Sequence, residues 1–308
     1  MTCRSAAPAS PLWSLPGTIL PGFGVAWLAA LLLAQPALPA AAEEGAPVVE
    51  QGVVYGTAEG VKLLLDLARP AAPAKACPAL VFIHGGGWTA GTRSQYAGAI
   101  VEAARHGYVA ATIDYRFAPA FRFPAQVEDA QCAVRWLRAH AAELHLDPQR
   151  VGAVGDSAGG HLALMLGLMD PADGLAGTGG NPDQKAKVQV VVNFYGPGDF
   201  THLGALSGEA TRLLVGFLGT VDPAQPIARR ASPIAYIDAK DAPVLTLHGA
   251  ADTLVPVAQG QRLHEALRAA KVEEHLEIIP GAGHGFGGAA AEHAWALTRE
   301  FLDRHLHP

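Results

Sequence analysis

A serine hydroxyl attacks a carbonyl carbon efficiently only when a base takes its proton and a third group holds that base in place. Ser157 is the candidate nucleophile. It lies in Gly155-Asp156-Ser157-Ala158-Gly159, after the apolar run Val151-Gly152-Ala153-Val154 and before Leu162-Ala163-Leu164. That is the strand-turn-helix context in which small neighbours let a sharp turn expose a hydroxyl. Of the 13 histidines, His284 is the candidate base. Its segment, Gly281-Ala282-Gly283-His284-Gly285-Phe286, follows the last expected strand and so reaches the carboxyl edge of the sheet, where chemistry collects in parallel α/β folds. Most of the others have ordinary readings: His140 and His145 flank a helix end, His264 lies on a helix, His305 and His307 close the chain, and His161 reads as a packed side chain. For the acid, Asp252 follows the expected strand 244–248, and Asp199 follows Gly196-Pro197-Gly198. The chain order Ser, Asp, His favours Asp252, and Asp199 reads as a turn-forming carboxylate.

An attacked ester develops a negative oxygen that needs donors already in place, each worth on the order of 3 kcal/mol in the transition state. His84-Gly85-Gly86-Gly87-Trp88 follows an expected strand and offers bare backbone amides. Gly86 and Gly87, with the amide of Ala158, are the candidate oxyanion donors. His84 is read as a loop anchor, and Trp88 and Phe286 are candidate pocket walls. Asp114-Tyr115-Arg116, Glu128-Asp129 and Arg135 read as structural hydrogen-bonding groups. No cluster has metal-ligand spacing, and Gly177-Thr178-Gly179-Gly180 precedes no GKS/T triplet, so neither a metal nor a cofactor is expected.

These side chains need a scaffold, and the sequence supplies a regular one. Two alternating stretches around Gly56-Thr57-Ala58-Glu59-Gly60 predict an antiparallel hairpin over 48–68. Strands at 79–84, 108–114, 151–155, 188–194, 244–248 and 273–279 then alternate with helices at 96–106, 125–140, 158–169, 258–270 and 289–305. That alternation predicts βα wrapping of a mostly parallel sheet with helices on both faces. Two irregular stretches interrupt it, 170–187 and 196–242. The second is long for a connection and contains a helix-like run at 209–218, so a small cap over the site is expected.

The chain has 308 residues, half of them hydrophobic, with a formal net charge of −6. Residues 43–308 suit one large α/β domain. No basic block or basic helix face stands out, which excludes electrostatic support for nucleic-acid or anionic-membrane binding. Residues 1–42 carry one charged side chain, Arg4, and an apolar run at 24–34 followed by small residues. This predicts a cleaved export leader, a secreted or periplasmic protein, and no membrane span after cleavage. Cys77 and Cys132 then form either a disulfide or two buried thiols.

From about Val53 to its end the chain resembles α/β-hydrolase serine esterases of the hormone-sensitive-lipase-like type. The likeness is closer to bacterial feruloyl/acetylxylan-esterase-like carboxylesterases. It is carried by HGGGW at His84, DYRFAP at Asp114, FPAQVEDAQCAVRWLRAHA at Phe123, GDSAGGH at Gly155, GGNPDQ at Gly179, FYGPGDF at Phe194, ASPI at Ala231 and GHGF at Gly283. Pro119-Ala120-Phe121 lacks the acidic residue usual after that proline in the lipase-like members. The resemblance implies an α/β-hydrolase fold, Ser157, Asp252 and His284 as a triad, and Gly86, Gly87 and Ala158 as oxyanion donors. It also implies an acyl-enzyme route and a small or polysaccharide-linked ester with a short-chain or plant-cell-wall acyl group. A lipase on this scaffold would carry a larger apolar lid, and a peptidase an added propeller domain. A non-catalytic binding protein would lack Ser157, His284 or the triple glycine.

Overall fold

The computed structural model describes residues 45–307; the expected leader at 1–42 lies outside them. The hairpin forms from β1 (Val48–Ala58) and β2 (Val61–Arg69), paired antiparallel. The chain then winds through β3 (Cys77–Ile83), α1 (Ala97–Arg105), β4 (Val109–Ile113), α2 (Ala125–Ala139), α3 (Ala141–Leu144), β5 (Leu146–Asp156) and α4 (Ala158–Leu168). After β6 (Val190–Phe194) the cap segment contributes α5 (Gly208–Leu218) and α6 (Pro226–Ala231). β7 (Val244–Gly249), α7 (Ala258–Ala269), β8 (Glu274–Ile279) and α8 (Gly288–Leu306) complete the fold.

The eight strands lie in the order β1-β2-β4-β3-β5-β6-β7-β8, and every pair from β4 to β8 is parallel. The central strands read as continuous apolar runs because both of their faces are covered: β3, β4, β6 and β7 are buried along their whole lengths. One core, including Ile100, Phe301 and Leu302, lies beneath α1 and α8. The other, including Val134, Leu162, Phe217 and Leu263, lies beneath α2, α4, α7 and the cap. This is the mostly parallel, helix-covered sheet expected from the alternation, and the α/β-hydrolase architecture that the resemblance implies. The strand order reverses between β3 and β5, so the turns leaving their carboxyl ends stand side by side and open a crevice there.

Cys77 and Cys132 are both buried and free, which decides the open alternative. The Cys77 thiol turns to the Lys75 carbonyl and that of Cys132 to the Tyr55 carbonyl. Burial pushes both thiols above the ordinary cysteine range. Among the described residues, no helix is long and apolar enough to cross a membrane.

Candidate active site

β5 ends at Asp156 and α4 begins at Ala158, so Ser157 is the whole turn between them. Its backbone is held at φ 51°, ψ −117°, a conformation that β-carbon-bearing residues adopt only under constraint. Two contacts impose it. The Ser157 amide donates to the Phe194 carbonyl at 2.8 Å, and the chain crosses itself so closely that a Cβ on Gly159 would lie 1.9 Å from the Ile83 carbonyl oxygen. The result is a hydroxyl aimed out of the sheet at the crevice.

His284 follows β8 and Asp252 follows β7, and the two strands are neighbours. His284 Nδ1 lies 2.8 Å from Asp252 Oδ2, and Nε2 lies 2.9 Å from Ser157 Oγ. The Asp252 side chain is fully buried, and burial alone would raise its carboxyl. Hydrogen bonds from His248, His284 and the Val255 amide outweigh that effect and hold it well below the usual carboxylate range. An anionic Asp252 can only accept, so Nδ1 of His284 carries the ring hydrogen and Nε2 presents a lone pair to the Ser157 hydroxyl. The arrangement is a directed proton path from Oγ to the imidazole.

Asp199 is elsewhere engaged. Its Oδ2 accepts from Arg262 Nε at 3.0 Å and Nη2 at 2.7 Å, and its Oδ1 accepts from the Thr201 amide at 2.9 Å. It anchors the start of the cap to α7.

The turn after β3 brings Gly86 and Gly87 beside Ser157 at positive φ, 105° and 59°. The amides of Gly86, Gly87 and Ala158 donate to no acceptor among the described residues, which leaves them available to an incoming oxyanion. Asp156 pins this turn to the nucleophile's strand, since its Oδ1 accepts from the Gly85 amide at 2.9 Å and from the Tyr96 hydroxyl at 2.8 Å.

Trp88 lines the cavity at Ser157 and is held on two sides. Its ring stacks on Phe217 of α5 at 4.1 Å, and its Nε1–H donates to His161 Nδ1 at 3.3 Å. His161 must therefore carry its hydrogen on Nε2, which donates to the Ala231 carbonyl at 2.8 Å. Burial brings this imidazole down to about 4, a shift that the Ala231 contact only partly opposes. His84 donates from Nδ1 to the Gly85 carbonyl at 2.7 Å.

Phe286 corrects an expectation. It does not wall the cavity, whose lining it is absent from; it packs edge-on to Tyr195 at 5.0 Å and against Phe194. Two residues past His284, the chain has already turned away toward the α8 side. The cavity is instead roofed by the cap, with Leu206, Leu213 and Leu214 facing Ser157 across a space of about 50 Å³. Leu213 sits so close over Gly87 that an added Cβ there would meet its Cδ2 at 2.5 Å.

The sequence reading missed three residues of this site. Asp156 lies inside the nucleophile motif, but its role comes from the Gly85 amide, which is distant in sequence. Tyr195, at φ 42°, packs its ring 4.8 Å from that of His284. His248 lies behind Asp252; a histidine ending an otherwise apolar strand, four residues before the acid, was the available signal.

Fold and site together define an α/β-hydrolase with a serine-histidine-aspartate constellation. The BD-FAE family model matches residues 65–267, and the chain belongs to that family. It is 34% identical over 251 residues to Esterase LipC of Mycobacterium tuberculosis, covering 76% of this chain and 59% of that one. It is 32% identical to Ethyl acetate hydrolase of Pseudomonas putida, covering 81% of each. The chain spans somewhat more than half the length of the mycobacterial relatives it matches. Among solved structures it is similar to a truncated carbohydrate esterase from gut microbiota, with a TM-score of 0.73, 25% identity, and 84% of this chain and 98% of that one covered. It is also similar to esterase 2 of Thermogutta terrifontis phosphonylated by sarin, with a TM-score of 0.73, 30% identity, and 88% and 100% covered.

Proposed function

We propose that the protein is a serine carboxylesterase that cleaves short-chain acyl esters through an acyl-enzyme. The observation that carries this reading is the unbroken path Asp252, His284, Ser157 beside three unengaged amides. His284 Nε2 takes the Oγ proton as Oγ attacks the ester carbon, and the amides of Gly86, Gly87 and Ala158 receive the carbonyl oxygen as it becomes negative. The imidazolium returns the proton to the departing alcohol. Water, deprotonated by the same Nε2, then attacks the acyl-enzyme and frees Ser157.

The space beside Ser157 supports the substrate class proposed. It is small, about 50 Å³ against the roughly 300–1,000 Å³ of pockets that take drug-sized ligands, which supports an acetyl or propionyl group over a feruloyl ring. Relatives named for ethyl acetate hydrolysis and carbohydrate ester cleavage support small acyl groups, including acetyl groups carried on a polysaccharide. Export to the periplasm or medium is part of the proposal and rests on the leader pattern of residues 1–42.

The test combines covalent labelling with a substrate panel. A fluorophosphonate is expected to label the protein and not Ser157→Ala, with 4-nitrophenyl acetate and propionate turned over faster than the octanoate, and acetylated xylan faster than feruloyl esters. Labelling that survives Ser157→Ala, or a preference for long or aromatic acyl groups, would overturn the reading.

A further inference from the structure

His248 is the penultimate residue of β7 and is fully buried. Its Nε2 lies 2.8 Å from the Val255 carbonyl oxygen and 3.5 Å from Asp252 Oδ2. Both neighbours are acceptors, so Nε2 carries the ring hydrogen; the other tautomer would set a lone pair against two oxygens. Nδ1 has no partner among the described residues and faces Gly260 of α7, where an added Cβ would come within 2.9 Å of it. The ring is thus wedged from behind, with its single N–H turned toward the turn that carries Asp252.

That turn already holds half of the carboxylate. Asp252 Oδ1 accepts from the Leu254 and Val255 amides, each at 2.9 Å, while Oδ2 faces both His284 Nδ1 and His248 Nε2. We infer that His248 is a positioning residue, whose Nε2–H and wedged ring fix the Asp252 carboxylate plane so that Oδ2 meets His284 Nδ1. The inference rests on the reading of Ser157, His284 and Asp252 as the triad. Without His248, Oδ2 loses the N–H that faces it at 3.5 Å, the Val255 carbonyl loses its donor at 2.8 Å, and the carboxylate can rotate away from the imidazole it orients. His248 touches neither substrate nor reacting atom, so its loss acts on the chemical step and not on substrate binding.

The experiment compares His248→Leu, His248→Asn and His248→Gln with the full-length wild type, using 4-nitrophenyl acetate turnover and the burst of 4-nitrophenol released by paraoxon. Leu has no donor, and the Asn amide ends near the Nδ1 position; both should lower kcat and the burst rate about 10- to 100-fold with KM within about threefold. Gln, whose amide nitrogen reaches the Nε2 position, should recover most of the rate. A structural role would instead lower melting temperature and leave the kcat of the folded fraction unchanged. If Leu does not fold, the Asn and Gln pair still decides. Wild-type kcat in the Asn variant, or equal losses in Asn and Gln, overturns the inference. Ser157→Ala in the same series separates the two failures. If its turnover and burst persist, the triad reading fails; if they vanish while the His248 variants keep wild-type rates, only the positioning role does.

Discussion

Two carboxylates stand just past neighbouring strands, Asp199 after β6 and Asp252 after β7, and what each one touches separates their roles. Asp252 Oδ2 receives the His284 Nδ1–H, so replacing it with Asn supplies an amide that can donate where an acceptor is required. The imidazole then turns to the tautomer whose Nε2 already carries hydrogen, and the Ser157 proton has no acceptor. Asp252→Asn should lower kcat on 4-nitrophenyl acetate by roughly 10⁴-fold, as the same change does in other triads, with the melting temperature little altered. Asp199→Asn weakens the pair with Arg262 and should cost on the order of 1–3 kcal/mol of stability while kcat stays within about threefold. Equal losses of kcat in the two variants would show that the acid had been misassigned. The sequence could separate these residues only by chain order and by the resemblance, because both follow expected strands in turn-like segments; the ion pair that occupies Asp199 comes from α7, 63 positions away.

The cap acts chiefly through one element. α5 stacks Phe217 on Trp88 and sets Leu213 over Gly87, so the helix that roofs the cavity also braces the turn that carries the oxyanion amides. Leu213→Ala opens the roof. The preferred acyl chain should lengthen by about two carbons in a kcat/KM series from acetate to octanoate, each buried methylene being worth about 0.8 kcal/mol, or roughly fourfold. An unchanged profile would mean that the acyl group lies outside this space. The helix itself was legible as a helix-like run at 209–218, and the βα alternation was legible because the inner strands are continuous apolar runs. Other boundaries were not. β5 begins at Leu146, five residues before its expected start, because Asp147-Pro148-Gln149-Arg150 reads as a turn until Cys77 pairs with Leu146 across the sheet. α6 is only six residues long, too short for a periodic signal. The triad and the triple glycine were readable because each follows a strand in a small-residue turn; the roof leucines, Asp156 and His248 were not, since their roles depend on neighbours distant in sequence or on side-chain direction.

At the scale of the whole molecule, His161 joins three parts: the oxyanion turn through Trp88, the nucleophile helix α4, and α6 of the cap through Ala231. Burial lowers this imidazole to about 4 from its ordinary 6.5. The unfolded chain therefore binds a proton that the folded one refuses, and the stability from neutral His161 is complete above pH 6.5 and lost as pH falls toward 4. The shift corresponds to about 3 kcal/mol at 1.36 kcal/mol per unit. His84 and His307, also lowered chiefly by burial, act with the same sign. Asp252, Asp199 and Asp147, whose hydrogen bonds lower them, lose their contribution only below the ordinary carboxylate value of 3.8, outside this window. Asp129 and Asp241, raised by burial, act in the opposite sense at its acid end. Urea unfolding from pH 8 to 4.5 should therefore show a progressive loss of stability in the wild type. His161→Gln should start less stable at pH 8, because Trp88 loses its acceptor, yet lose less on acidification. A variant with the wild-type slope would place the acid sensitivity on other groups and remove His161 from the account of what holds cap, oxyanion turn and nucleophile helix together.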